Sequence, residues 1–169
     1  MVATGSNDPP ALPEGHRRAG LVADILGAGA GAALASAAVA AAVARAEGKG
    51  ALQPLNATSH WLHGTEAGRV RGVDAAHSGV GIGTHVLSAL FWAVPYAIWL
   101  DSKPGRSEAE IVAGAAVTAT VAAAVDYLVM PRRLTPGWEL AIGRPGVAAT
   151  FVGLGLGLAG GTLAARCRG

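Results

Sequence analysis

The sequence predicts an all-α membrane protein, an antiparallel bundle of four transmembrane helices. Hydrophobic residues make up 51% of the 169-residue chain and charged residues only 14%, whereas soluble domains carry about 25% charged residues. A helix needs about 20 mostly apolar residues to cross a bilayer, and segments of that kind occur four times along the chain. We place these predicted spans at residues 21–44, 79–100, 110–130 and 146–165.

Charged residues and prolines mark the ends of the apolar segments. The uncharged part of the first segment lies between Asp24 and Arg45, and the second segment ends at Asp101. Pro131 follows the third segment and Pro145 precedes the fourth, positions at which proline stops or starts a helix. The segments are joined by loops of roughly 33, 10 and 15 residues, which predicts an antiparallel arrangement of the four helices.

The N-terminal residues differ in composition from the rest of the chain. We predict that residues 1–18 form a disordered polar tail, because three of the nine prolines lie in this stretch. Residues 19–169 are then a single membrane domain. Arg17 and Arg18 before a long apolar run also resemble a secretory signal peptide. The run is longer than an ordinary signal core, so we favour an uncleaved spanning helix.

Glycines spaced four residues apart occur in three of the apolar segments: Gly27 and Gly31, Gly79 and Gly83, and Gly153, Gly157 and Gly161. Residues at this spacing share one face of a helix. Helices in lipid associate through close backbone contact at such small residues. The glycines therefore predict tight packing between helices of one chain, with homo-oligomerisation through the fourth helix as the alternative.

Ionisable residues inside apolar segments are functional candidates, because a charge at membrane depth is costly. Asp24, His85 and Asp126 are of this kind. An antiparallel arrangement brings the start of the second segment and the end of the third to the same side, so we predict that His85 and Asp126 form a pair. Such a pair either locks two helices together or holds a proton in transit. Asp24, at the mouth of the first segment, suits the positive end of the helix dipole.

The segment NATSHWLHG at residues 56–64 is unusual for a membrane loop, and we predict a short interfacial helix there. Asn56 is a capping type, and His60 and His63 would share one face of that helix. With His77, they place most of the histidines on the side of the predicted pair. Imidazoles and carboxylates bind metal ions, but this spacing is not specific. We therefore predict no cofactor and keep a haem or metal site as an alternative.

Three stretches resemble a group of small bacterial inner-membrane proteins that are sometimes labelled symporter-like. They are NATSHWLHG at residues 56–64, GTHVLSALFWAVPY at residues 83–96 and AVDYLVMPRRLTPGWE at residues 124–139. The resemblance extends over roughly residues 55–165. It implies a multi-pass protein of the bacterial inner membrane built as a helical bundle, and it assigns no catalytic residue.

The remaining sequence features bear on function and orientation. Nucleotide-binding loops and nucleophile elbows are absent from the sequence, so we do not expect an enzyme, and a net charge of +2 gives no argument for nucleic acid. We expect a structural or accessory membrane protein whose partner is the lipid bilayer. The alternative is an oligomeric conduit or carrier for protons or a small solute, using His85 and Asp126. Both termini should lie on one side, but the positive-inside rule does not fix which, because the cationic residues are almost evenly divided.

Overall fold

The computed structural model describes residues 14–103 and 105–167, and every regular element in these ranges is helical. The α-helices are α1 (Glu14–Ala46), α2 (Gln53–Ala57), α3 (His60–His63), α4 (Ala75–Asp101), α5 (Glu108–Ala124) and α6 (Arg144–Arg166). A π-helical turn, Val125–Val129, continues α5. Three 3-10 turns complete the loops, at Thr65–Arg69, Arg132–Leu134 and Trp138–Leu140.

Four of these helices are long and apolar enough to cross a membrane, namely α1, α4, α5 with its π-helical turn, and α6. The prediction of an all-helical chain with four such helices is therefore confirmed. The predicted tail ends earlier than residue 18, because α1 already begins at Glu14. The rest of the predicted tail, residues 1–13, lies outside the described residues.

The predicted single helix over residues 56–64 is wrong in its bounds, because two short helices share this region. Pro54 in the first turn of α2 starts that helix at Gln53, a position where proline costs no hydrogen bond. Gly64 has a φ of 74° and ends α3, since a left-handed conformation favours glycine. The interruption turns the chain between α2 and α3.

Helices α1 and α6 run in opposite directions and touch through their glycines. Gly31 lies against Gly157, and Gly27 lies against Gly161, where an added Cβ at Gly27 would be only 2.9 Å from the Gly161 carbonyl oxygen. Farther along, Gly153 lies against Ser36, whose Cα would be 3.3 Å from an added Cβ. The glycine face of α6 is therefore covered by α1 of the same chain.

Helix α4 packs on α1, whereas α5 packs mainly on α6. Helices α4 and α5 meet near their connecting turn, where the Tyr96 hydroxyl donates to the Ile111 carbonyl oxygen at 3.0 Å. Gly79 and Gly83 do not take part in helix packing, since nothing lies within 4 Å of a Cβ added at either. The packing prediction is wrong for these two glycines, because their face of α4 points outward.

Small side chains fill the contacts between the long helices, and large apolar side chains cover their outer surface. Alanines such as Ala28, Ala32 and Ala93 are fully buried at the helix contacts. Large apolar side chains lie on the outside, where Leu87 is 68% and Phe91 65% exposed. The long helices thus approach through small residues and present a bulky apolar surface outward.

The two longer loops form a cap over one end of the long helices. We use this name for residues 47–74 and 130–143. Asn56 holds the first loop together: it is fully buried, its side-chain amide donates to the carbonyls of Val70 and Gly72 at 2.8 Å each, and its Oδ1 accepts from Ser78 at 2.7 Å. This network fixes the loop to the start of α4.

A second set of contacts joins the two loops of the cap to each other. The imidazole of His60 lies between two carbonyl oxygens, with Nδ1 3.2 Å from that of Ala57 and Nε2 3.1 Å from that of Arg132. The Arg133 Nε donates to the Trp61 carbonyl oxygen at 3.1 Å. The cap is therefore one connected layer rather than two separate loops.

Candidate functional site

A pocket of about 210 Å³ lies between the cap and the long helices. We call it the capped pocket. Trp61, Leu134 and Trp138 come from the cap, and His85 and Asp126 come from helices α4 and the end of α5. The structure thus brings both members of the predicted pair to one cavity.

His85 reaches the pocket from α4 and is bound on its other side by α1. Its side chain is buried, and Nε2 donates to the Ala33 carbonyl oxygen at 3.0 Å. The Ser36 hydroxyl also lies 3.2 Å from Nε2. Since a carbonyl can only accept, this contact assigns a proton to Nε2. His85 is therefore a fixed part of the α1–α4 contact.

Asp126 lies in the π-helical turn that continues α5. Such turns insert an extra residue, change the direction of the neighbouring side chains and occur often at functional sites. Within residues 14–103 and 105–167, the carboxylate of Asp126 lines the capped pocket without a hydrogen bond or an ion pair. It is the acidic side chain of this cavity.

The predicted direct pair of His85 and Asp126 is not formed in the described part of the chain. The two residues share the pocket, but the hydrogen bonds of His85 go to Ala33 and Ser36. The physical reason is the packing of the helices. Helix α4 presents His85 to α1, whereas α5 packs on α6 and meets α4 near the opposite end, at Tyr96.

Asp24 has a different environment from the one predicted. It does not lie in the first turn of its helix, because α1 begins at Glu14. Instead, Arg166 of α6 forms an ion pair with its carboxylate at 2.9 Å. The helix-dipole interpretation of Asp24 is therefore wrong, and the residue ties α1 to α6 at the end opposite the cap.

The predicted histidine cluster is divided between two places. The rings of His63 and His77 stand 4.5 Å apart, and His77 Nδ1 is 2.8 Å from Asp74 Oδ1. The backbone and ring N–H groups of His77 hold the pKa of the Asp74 carboxyl below its usual range. His60 instead bridges the two loops of the cap. Among the residues that the structure describes, no group of three or more His, Cys, Asp or Glu side chains is arranged to hold a metal ion.

Sequence reasoning missed the aromatic wall of the capped pocket. Trp61, Trp92, Trp138 and Phe151 all line it. The Trp61 indole donates to Thr84 at 3.1 Å, which fixes α3 of the cap to α4. These rings come from four separate parts of the chain, so no local pattern indicated that they meet. The available signal was that each of the three quoted motifs contains a tryptophan.

Comparison with protein-family models, with curated proteins and with solved structures gives no match to this chain. The resemblance to small bacterial inner-membrane proteins therefore stays a prediction. Any function has to be argued from the capped pocket and from the surface of the long helices.

Proposed function

We propose that this chain is an integral protein of the bacterial inner membrane, an antiparallel bundle of four spanning helices with a structural or accessory role. The single observation that carries the proposal is the bulky apolar surface of the long helices, on which Leu34 is 73%, Leu87 68% and Leu156 65% exposed. A contiguous apolar surface of this kind marks an interaction with a membrane or another protein. Interiors of alanine and glycine are typical of helices that associate in lipid.

The contacts at the two ends support the proposed topology. The cap joins the first and third loops at one end, through His60 and Arg132. Asp24, in the N-terminal third of α1, and Arg166, at the end of α6, form an ion pair near the other end. The start of α1 and the end of α6 then lie on the side away from the cap. The interlocked cap and the close α1–α6 contact hold the long helices in fixed positions, which fits a structural or accessory role.

We expect topology reporters fused after residues 15 and 169 to report the same side of the membrane, and reporters fused after residues 66 and 139 to report the other. The physical reason is the even number of spanning helices. The measurement is the activity of paired phosphatase and fluorescent-protein fusions, with membrane extraction at alkaline pH as the control for insertion. Termini on opposite sides, or release of the protein by alkali, would contradict the proposal.

A second candidate function is the carriage of protons or a small solute. The observation in its favour is that His85 and Asp126, from different helices, line one cavity. Ionisable side chains that face the interior of a membrane bundle mark ion and substrate pathways. Asp126 is the group on which such a function depends, because His85 is held by α1.

We expect proteoliposomes containing the protein to acidify faster than empty liposomes when a potassium diffusion potential drives proton entry. Replacement of Asp126 by Asn should reduce the rate to that of empty liposomes. Glu66→Gln is the matched control, because Glu66 is an exposed carboxylate of the cap paired with Arg69 outside the pocket. A trapped pH-sensitive dye gives the rates. Equal rates for the wild type and Asp126→Asn would rule out the carriage of protons through this pocket.

A further inference from the structure

We propose that the capped pocket binds a small organic cation of the quaternary ammonium class, held by Asp126 and by the aromatic wall. The proposal deepens the second candidate function by naming its substrate class. It rests on that function only for the transport step, since binding itself needs the pocket alone.

The first argument is the aromatic wall. Trp138 and Phe151 both line the pocket and pack edge to face on each other, with ring centroids 5.2 Å apart at 62°. Both are nearly fully buried, which fixes the rings in place. Trp61 and Trp92 line other parts of the same cavity. Aromatic faces attract cations, tryptophan most strongly, and cages of several rings recognise quaternary ammonium groups.

The second argument is the charge inside the pocket. Asp126 is the acidic residue in its lining, and no Lys or Arg lines it within the described residues. His85 does not neutralise the carboxylate, because Nε2 is bonded to Ala33. Asp126 is half-buried in this lining, and a nearby cation stabilises the charged form of such a carboxylate. A quaternary ammonium cation can fill this role although it has no hydrogen-bond donor. Its attraction to a carboxylate and to ring faces depends on its charge alone.

The third argument is size. Pockets for drug-sized ligands measure about 300–1,000 Å³, whereas this cavity measures about 210 Å³. The ligand is therefore smaller than a drug molecule. Choline is a suitable probe, because it carries a compact trimethylammonium group and a short polar arm. Its carbon isostere, 3,3-dimethylbutan-1-ol, has nearly the same shape without the charge.

The test is a titration of the full chain, purified in detergent, with choline and separately with the neutral isostere. Binding is read by tryptophan fluorescence and by calorimetry. We expect a saturable signal with choline and at least tenfold weaker binding of the isostere. Replacement of Asp126 by Asn should weaken choline binding at least tenfold, and Glu66→Gln should leave it unchanged.

A second pair of variants tests the aromatic wall. Trp61 and Trp99 are each 37% exposed, but only Trp61 lines the capped pocket. Trp61→Leu should weaken choline binding several-fold, Trp61→Phe should restore most of it, and Trp99→Leu should have no effect. Melting curves of each variant verify that the fold is retained.

The outcomes separate the two proposals. Choline binding without choline uptake into proteoliposomes supports the pocket's ligand class and rejects the carriage of organic cations, whereas proton carriage is decided by the acidification assay. Equal binding of choline and the isostere, or unchanged binding in Asp126→Asn, overturns the organic-cation proposal even if proton entry depends on Asp126. Lack of binding of choline at millimolar concentrations overturns it as well.

Discussion

Replacement of Gly157 by Leu should lower the free energy of unfolding by about 3 kcal/mol or more, at the upper end of the cost of overpacking a close contact. A Cβ at this position would lie against the Gly31 carbonyl oxygen and 2.6 Å from the Cα of Ala32. Both are backbone atoms of α1, which cannot rotate away as a side chain does. The better helix propensity of leucine, about 1 kcal/mol over glycine, does not offset this cost.

Gly160→Leu is the matched control for this experiment. Gly160 lies three residues farther along α6, is exposed, and has nothing within 4 Å of an added Cβ. Its replacement should leave the stability unchanged or raise it slightly. The measurement is thermal or denaturant unfolding in one detergent. If Gly157→Leu and Gly160→Leu melt together, the α1–α6 contact described above is not the one present in solution.

Asn56→Ala is the second substitution for which we expect a large effect. It removes three hydrogen bonds from a fully buried side chain and leaves the carbonyls of Val70 and Gly72 without their donor. Each buried polar group left unpaired costs about 1–3 kcal/mol. We therefore expect the first loop of the cap to open, with faster proteolysis between residues 64 and 74 and a lower unfolding temperature.

Two further variants make the Asn56 result specific. Asn56→Asp keeps an acceptor for Ser78 but places a carboxylate oxygen opposite the Val70 and Gly72 carbonyls, so it should not restore stability. Thr65→Ala changes an exposed residue of the same loop and should behave as the wild type. Wild-type proteolysis rates in Asn56→Ala would show that this network does not hold the cap.

Hydropathy and length were enough to predict the four long helices, because each is defined by local composition. The spacing of glycines placed residues on one face but did not say where that face points. Gly31 and Gly157 meet in the structure, whereas Gly79 and Gly83, with the same spacing, point outward. The direction in which a helix face points depends on contacts between residues that are far apart in the chain, and a single sequence does not show these contacts.

Only part of the candidate site could be predicted, because its contacts also join residues that are far apart in the chain. Counting residues along antiparallel helices placed His85 and Asp126 near one end, and both do line one pocket. The hydrogen bond from His85 to Ala33 joins residues that are 52 positions apart. The π-helical turn at Asp126 also changes its direction from that of a regular α-helix. Neither feature leaves a local pattern in the sequence.

The contact between α1 and α6 also has a consequence for the order of assembly during synthesis. The glycine face of α1 leaves the ribosome long before α6 exists, because all the other described helices lie between them in the chain. At about 5–20 residues per second, the delay is on the order of ten seconds. During that interval Gly27 and Gly31 of α1 have no α6 backbone to pack against. Closure of the bundle is therefore a late event, and a nascent chain that stops before Gly157 leaves α1 without its main neighbour.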